Sequence, residues 1–122
     1  MKLEILTYPN PILREVSVPV KKFDASLKKL VENMMETMYA ANGIGLAAPQ
    51  VGELIQLLVI DTRPSNEEDR RYAYDELTDL EKALPQPLVL INPTIVKGYG
   101  STTFDECCLS VPSFFETVKR FE

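Results

Sequence analysis

Only one stretch of this 122-residue chain keeps a helical period. Between Asp24 and Ala41, the residues Leu27, Leu30, Val31, Met34, Met35 and Met38 recur at intervals of three and four, which puts apolar side chains along one face of a helix. Asp24 is placed to cap the first turn. Asn42-Gly43 predicts the stop, because glycine accepts left-handed backbone at a helix end. Three methionines on that stripe suit core packing more than a ligand surface. A single amphipathic helix cannot bury its own stripe, so the remainder of the chain must supply the opposing layer.

That remainder reads as strand and turn. The first twenty residues carry Pro9, Pro11 and Pro19 and no sustained period, which predicts an extended wrapping segment with turns at the prolines. Leu54 to Asp61 reads as a buried strand, followed by Leu88 to Pro93, Thr94 to Gly100, Thr102 to Glu106, and an alternating run from Phe114 to Phe121. The expectation is one α+β domain over residues 1–122, with mostly antiparallel strands packed around helix 24–42. Residues 61–87 form an acidic insertion: between Asp61 and Lys82 eight acidic residues face four basic ones, and a short helix is expected around Tyr74 to Leu84.

The formal net charge is −5, and no basic stripe occurs, which argues against nucleic acid or an anionic membrane as the main partner. No apolar run is long enough to span a bilayer and no signal sequence is visible, so the cytoplasm is the expected location. The chain contains no histidine, which removes Ser-His-Asp and Cys-His catalysis and every His-ligated metal site from what these residues can build alone. The two cysteines, Cys107 and Cys108, are adjacent and read as free thiols, since neighbouring cysteines rarely meet disulfide geometry.

Chemistry concentrates in two strings. In GIGLAAPQ (43–50), the glycines at 43 and 45 allow close approach of another backbone, and Gln50 is a lone amide after small residues. Gln50 reads either as a buried amide satisfied by backbone or as a donor aimed at negative charge developing on an oxygen. In DECCLS (105–110), polar and reactive groups fill five of six positions, and a thiolate there suits either packing or a divalent metal.

Together the two strings resemble the peptide deformylases. GIGLAAPQ is similar to that family's first signature. ECCLS (106–110) is similar to the second, usually Glu-Gly-Cys-Leu-Ser; the YPNPILR opening, the INP between the motifs and the later arginine agree with it. The resemblance implies a peptide deformylase-like fold and a metal-dependent hydrolase that removes the formyl group from N-formyl-methionyl nascent peptides, working in the ribosome's neighbourhood. It implies Fe²⁺, replaceable by Zn²⁺, Ni²⁺ or Co²⁺, held by one cysteine and two histidines, with Cys108 matching the cysteine. Gln50 and the backbone N–H of Leu109 match the groups that stabilise the oxyanion. Ile44 and Gly45 match backbone that pairs with the substrate as an added strand, and Glu106 with Arg120 matches a supporting pair.

Two departures accompany the resemblance. Cys107 stands at the usual glycine, which puts a side chain beside the substrate path, and Ser113, Phe115 and Glu116 replace the commoner Gly, Arg and Gly. The third signature, His-Glu-x-x-His, has no counterpart in these residues and is expected beyond Glu122. The fold is therefore expected to be C-terminally incomplete and the isolated chain inactive. The alternatives are a non-catalytic module that binds formyl peptides without turnover, and a thiol protein using Cys107-Cys108.

Overall fold

A computed structural model of the chain describes residues 1–63, 79 and 83–120, with backbone alone at 104, 105, 107 and 112–116. Helix α1 runs from Ala25 to Ala40, and the Asp24 carboxylate accepts the Leu27 N–H at 3.1 Å as its cap. Its buried residues are Met34, Thr37 and Met38. Thr37 ties the N-terminal arm to the helix: its hydroxyl donates to the Asn33 carbonyl at 2.7 Å and accepts the Leu3 N–H at 2.8 Å.

The helix stops at Asn42-Gly43 as expected, with Asn42 N–H donating to the Tyr39 carbonyl at 3.1 Å and Gly43 N–H to the Met38 carbonyl at 3.0 Å, but the left-handed residue is not the glycine. Asn42, with φ 55°, takes the left-handed conformation, which asparagine tolerates. Gly43 serves another need, because a Cβ there would lie 2.9 Å from Leu109 Cδ1.

Three antiparallel strands, β1 (Gly45–Ala47), β2 (Leu57–Ile60) and β3 (Leu88–Ile91), form a sheet in that order. Gly45 opposes Ile60 and Leu57 opposes Ile91. The core lies between this sheet and α1: Met34 and Met38 pack with Leu46, Ala48, Leu57 and Val59. Burying a side chain of this size contributes about 1.5–3 kcal/mol, so the methionine stripe belongs to the core. A second sheet is the hairpin β4 (Thr102–Cys108) and β5 (Val111–Arg120). Its register breaks between Cys107, opposite Phe115, and Cys108, opposite Val111.

The α+β reading with mostly antiparallel strands agrees with this architecture. Two strand boundaries move. The expected strand from Leu54 shortens to β2, because Ile55 instead bridges Val18 in parallel and Gln56 N–H donates to the Val18 carbonyl at 2.9 Å. Thr94 to Gly100 forms no strand and pairs with neither sheet among the described residues, and Ile95 and Val96 are exposed.

The short helix expected around Tyr74 to Leu84 and most of the 61–87 segment lie outside the described residues. The segment's two ends do meet, with Thr62 N–H donating to Gln86 Oε1 at 2.6 Å. Asp61, counted with the solvated acidic run, is instead buried. No helix among the described residues is long and apolar enough to cross a membrane.

Candidate active site

Gln50 sits at the third position of a short 3-10 turn, Ala48–Val51, that directly follows β1. Its side chain folds back so that Oε1 accepts the Ala47 N–H at 2.9 Å, the reach an N3 glutamine makes to a helix start. The backbone donor fixes which end of the amide is which. Nε2 then points outward, donating to Ser110 Oγ at 3.2 Å and lying 3.4 Å from Cys108 Sγ. The oxygen thus serves the backbone, as one of the two sequence readings had it, while the nitrogen donates to the hairpin turn.

The second motif reaches this point through the turn of the β4–β5 hairpin, which Leu109 and Ser110 form. The Leu109 side chain rests on Gly43 and against the core, so the glycine provides the space in which the two motifs meet. The N-terminal arm holds both backbones. Leu6 N–H donates to the Gln50 carbonyl and Tyr8 N–H to the Ser110 carbonyl, each at 2.7 Å. The extended wrapping segment read from its prolines is therefore a brace for the site.

Ile44 and Gly45 lie at the start of β1, which is an edge strand of the three-stranded sheet. A Cβ on Gly45 would meet only the Val59 carbonyl at 3.7 Å, an ordinary contact, so the fold itself does not call for glycine there. Edge backbone without a side chain is what an extended peptide requires to add as a further strand.

Glu106 and Arg120 reach each other diagonally across the hairpin, Arg120 being opposite Thr102, with Arg120 Nε and Nη2 donating to the two carboxylate oxygens at 2.9 and 2.8 Å. The hydrogen bonds and the charge of Glu106 push the Arg120 guanidinium further above its ordinary range. The pair joins the far end of β5 to the strand that leads to Cys108. Cys107 is described as backbone in β4, so the reading of its side chain lies outside the described residues, as do those of Ser113, Phe115 and Glu116.

Cys108 is an exposed free thiol. Among the described residues no three His, Cys, Asp or Glu side chains gather where a metal ion could sit, and the chain holds no histidine. One thiolate beside one amide does not fit a catalytic centre with three protein ligands.

Comparison with known proteins bears on this arrangement. The model of the polypeptide deformylase family matches residues 2–122. The chain belongs to that family.

Peptide deformylases of Alkalilimnicola ehrlichii and Syntrophobacter fumaroxidans are 44% and 45% identical to it over 120 and 118 residues, covering 98% and 97% of this chain. The alignments take in 58% and 60% of those relatives, so the chain spans about three-fifths of their length. The crystal structure of a deformylase from Legionella pneumophila superposes with a TM-score of 0.79 at 38% identity, covering 100% of this chain and 62% of that one. The Thermotoga maritima deformylase gives 0.79 at 34% identity, covering 99% and 69%.

The contact of Ser110 with Gln50 and the burial of Asp61 were not foreseen from sequence. Ser110 is buried and accepts the Gln50 amide, and nothing in its local pattern separates it from a turn serine. Asp61 did leave a signal, a carboxylate directly after an unbroken apolar strand.

Proposed function

We propose that this chain carries the substrate-facing part of a peptide deformylase site, acting on N-formyl-methionyl nascent peptides in the cytoplasm near the ribosome. The observation that carries this reading is the orientation of Gln50, whose Oε1 is anchored on Ala47 while Nε2 is directed to the Cys108 side of the hairpin. In the hydrolysis of a formyl amide, negative charge develops on the formyl oxygen. The Gln50 amide and the Leu109 N–H would donate to that oxygen, and donors fixed in advance avoid the cost of reorganising during reaction. Ile44 and Gly45 would hold the peptide by main-chain pairing, and Glu106 with Arg120 would keep β4 in place. Cys108 corresponds to the family's cysteine ligand for a divalent ion such as Fe²⁺, and the family's two histidine ligands have no counterpart among these residues, which contain no histidine. Turnover by this chain alone is therefore expected to be negligible.

Calorimetric titration of the chain with formyl-Met-Ala-Ser and with the same peptide lacking the formyl group tests the reading. Saturable binding that prefers the formylated peptide supports it. Equal or absent binding of the two contradicts it.

A further inference from the structure

The polar residue buried at the end of β2 has no part in the chemistry above. Asp61 is 2% exposed, yet it is charged and elaborately held. Tyr39, in the last turn of α1, donates its hydroxyl to Oδ2 at 2.6 Å. Arg63 donates through Nε to Oδ1 and through Nη2 to Oδ2, both at 3.1 Å, and through its backbone N–H to Oδ1 at 3.0 Å. The Asp61 backbone N–H donates to the Ile44 carbonyl at 2.9 Å. One residue therefore ties the end of α1, the start of the 61–87 segment and the residue that enters β1.

Asp61 is buried while the Arg63 side chain is half-exposed, so the pair is a weak source of stability, but its several hydrogen bonds fix geometry where a greasy contact would slide. The link to Ile44 lies at the one end of β1 that the turn carrying Gln50 does not hold. Short edge strands have little pairing of their own, and β1 has three residues.

We infer that Asp61 is a positioning residue for peptide binding: through Tyr39, Arg63 and its own N–H it fixes the Ile44–Gly45 backbone in the extended form that an added peptide strand requires. This rests on the reading of β1 as the peptide-binding edge.

The test uses the whole chain, isotope-labelled, with Asp61→Asn and Tyr39→Phe variants. Tyr39→Phe keeps the Asp61–Arg63 pair and so guards against a variant that merely unfolds. Two quantities are read: the Kd for formyl-Met-Ala-Ser, and amide hydrogen exchange residue by residue. Loss of a hydrogen bond to a charged group is expected to raise the Kd about tenfold in Asp61→Asn and less in Tyr39→Phe. Exchange at Gly45 to Ala47 is expected to accelerate while β4 and β5 keep their rates. Folded variants with unchanged Kd and exchange overturn the inference, as does acceleration spread evenly over the chain. If the unaltered chain fails to bind the peptide, the proposed function falls, and the exchange rates alone decide whether Asp61 positions β1.

Discussion

Gln50 and Cys108 lie 58 residues apart in sequence, and the Gln50 Nε2 stands 3.4 Å from the Cys108 sulfur. The relationship depends on a second one, since the amide is turned toward the sulfur only because Ala47 N–H claims its oxygen. A substitution can therefore separate the structural end of this side chain from its chemical end.

Gln50→Glu keeps an acceptor for the Ala47 N–H and removes the donor. Urea denaturation should find it within about 1 kcal/mol of the parent, whereas formyl-peptide affinity should fall markedly. Gln50→Ala loses both ends and should cost about 1–3 kcal/mol of stability as well. Equal stability losses in the two variants would contradict the division of roles.

The two glycines of the first motif should respond oppositely. Gly43→Ala must displace the end of the Leu109 side chain, a flexible group, and overpacking of this kind costs about 1–3 kcal/mol. Gly45→Ala meets no obstacle within the chain and should leave the denaturation midpoint nearly unchanged while weakening peptide binding. Comparing midpoints and peptide affinities of the two variants checks this.

Met38 is fully buried between α1 and the sheet. Met38→Ala should destabilise the chain by about 2–5 kcal/mol through lost burial and the cavity left behind, measured by chemical denaturation.

These features differ in how far the sequence disclosed them. The α1 period was legible because one side of a helix is buried, and burial imposes spacing. The motifs were legible because their residue types are unusual together. The orientation of Gln50 was not, since it depends on a backbone N–H that every residue except proline carries. The second role of Gly43, beyond its place in the helix stop, was hidden for the same kind of reason: its neighbour Leu109 arrives from a distant hairpin. Thr94 to Gly100 shows the limit of strand composition, because a strand also needs a neighbour, and periodicity within one segment says nothing about what lies beside it.

Acid should act on the Asp61 cluster. Burial alone would raise the Asp61 pKa, but hydrogen bonds from Arg63 and Tyr39 and the Arg63 charge outweigh it and hold the carboxyl below its ordinary value of 3.8. A group depressed in the folded state contributes stability above its unfolded pKa and loses it as pH falls toward the folded value. The unaltered chain should accordingly lose stability below about pH 4, and Asp61→Asn should lose less over the same range. Thermal unfolding of both from pH 6 to pH 3 measures the difference, and parallel curves would contradict it.

We propose that the two motifs form one peptide-facing site, in a chain that has no histidine to match the family's two histidine ligands. Titrating the isotope-labelled chain with formyl-Met-Ala-Ser in the presence of Fe²⁺ or Zn²⁺, while assaying formate in the same tube, tests it most directly. Amide shift changes should concentrate at Ile44 to Gln50 and at Leu109, with no formate released above the peptide-only control. Rapid formate release, or shift changes that bypass those residues, would contradict it.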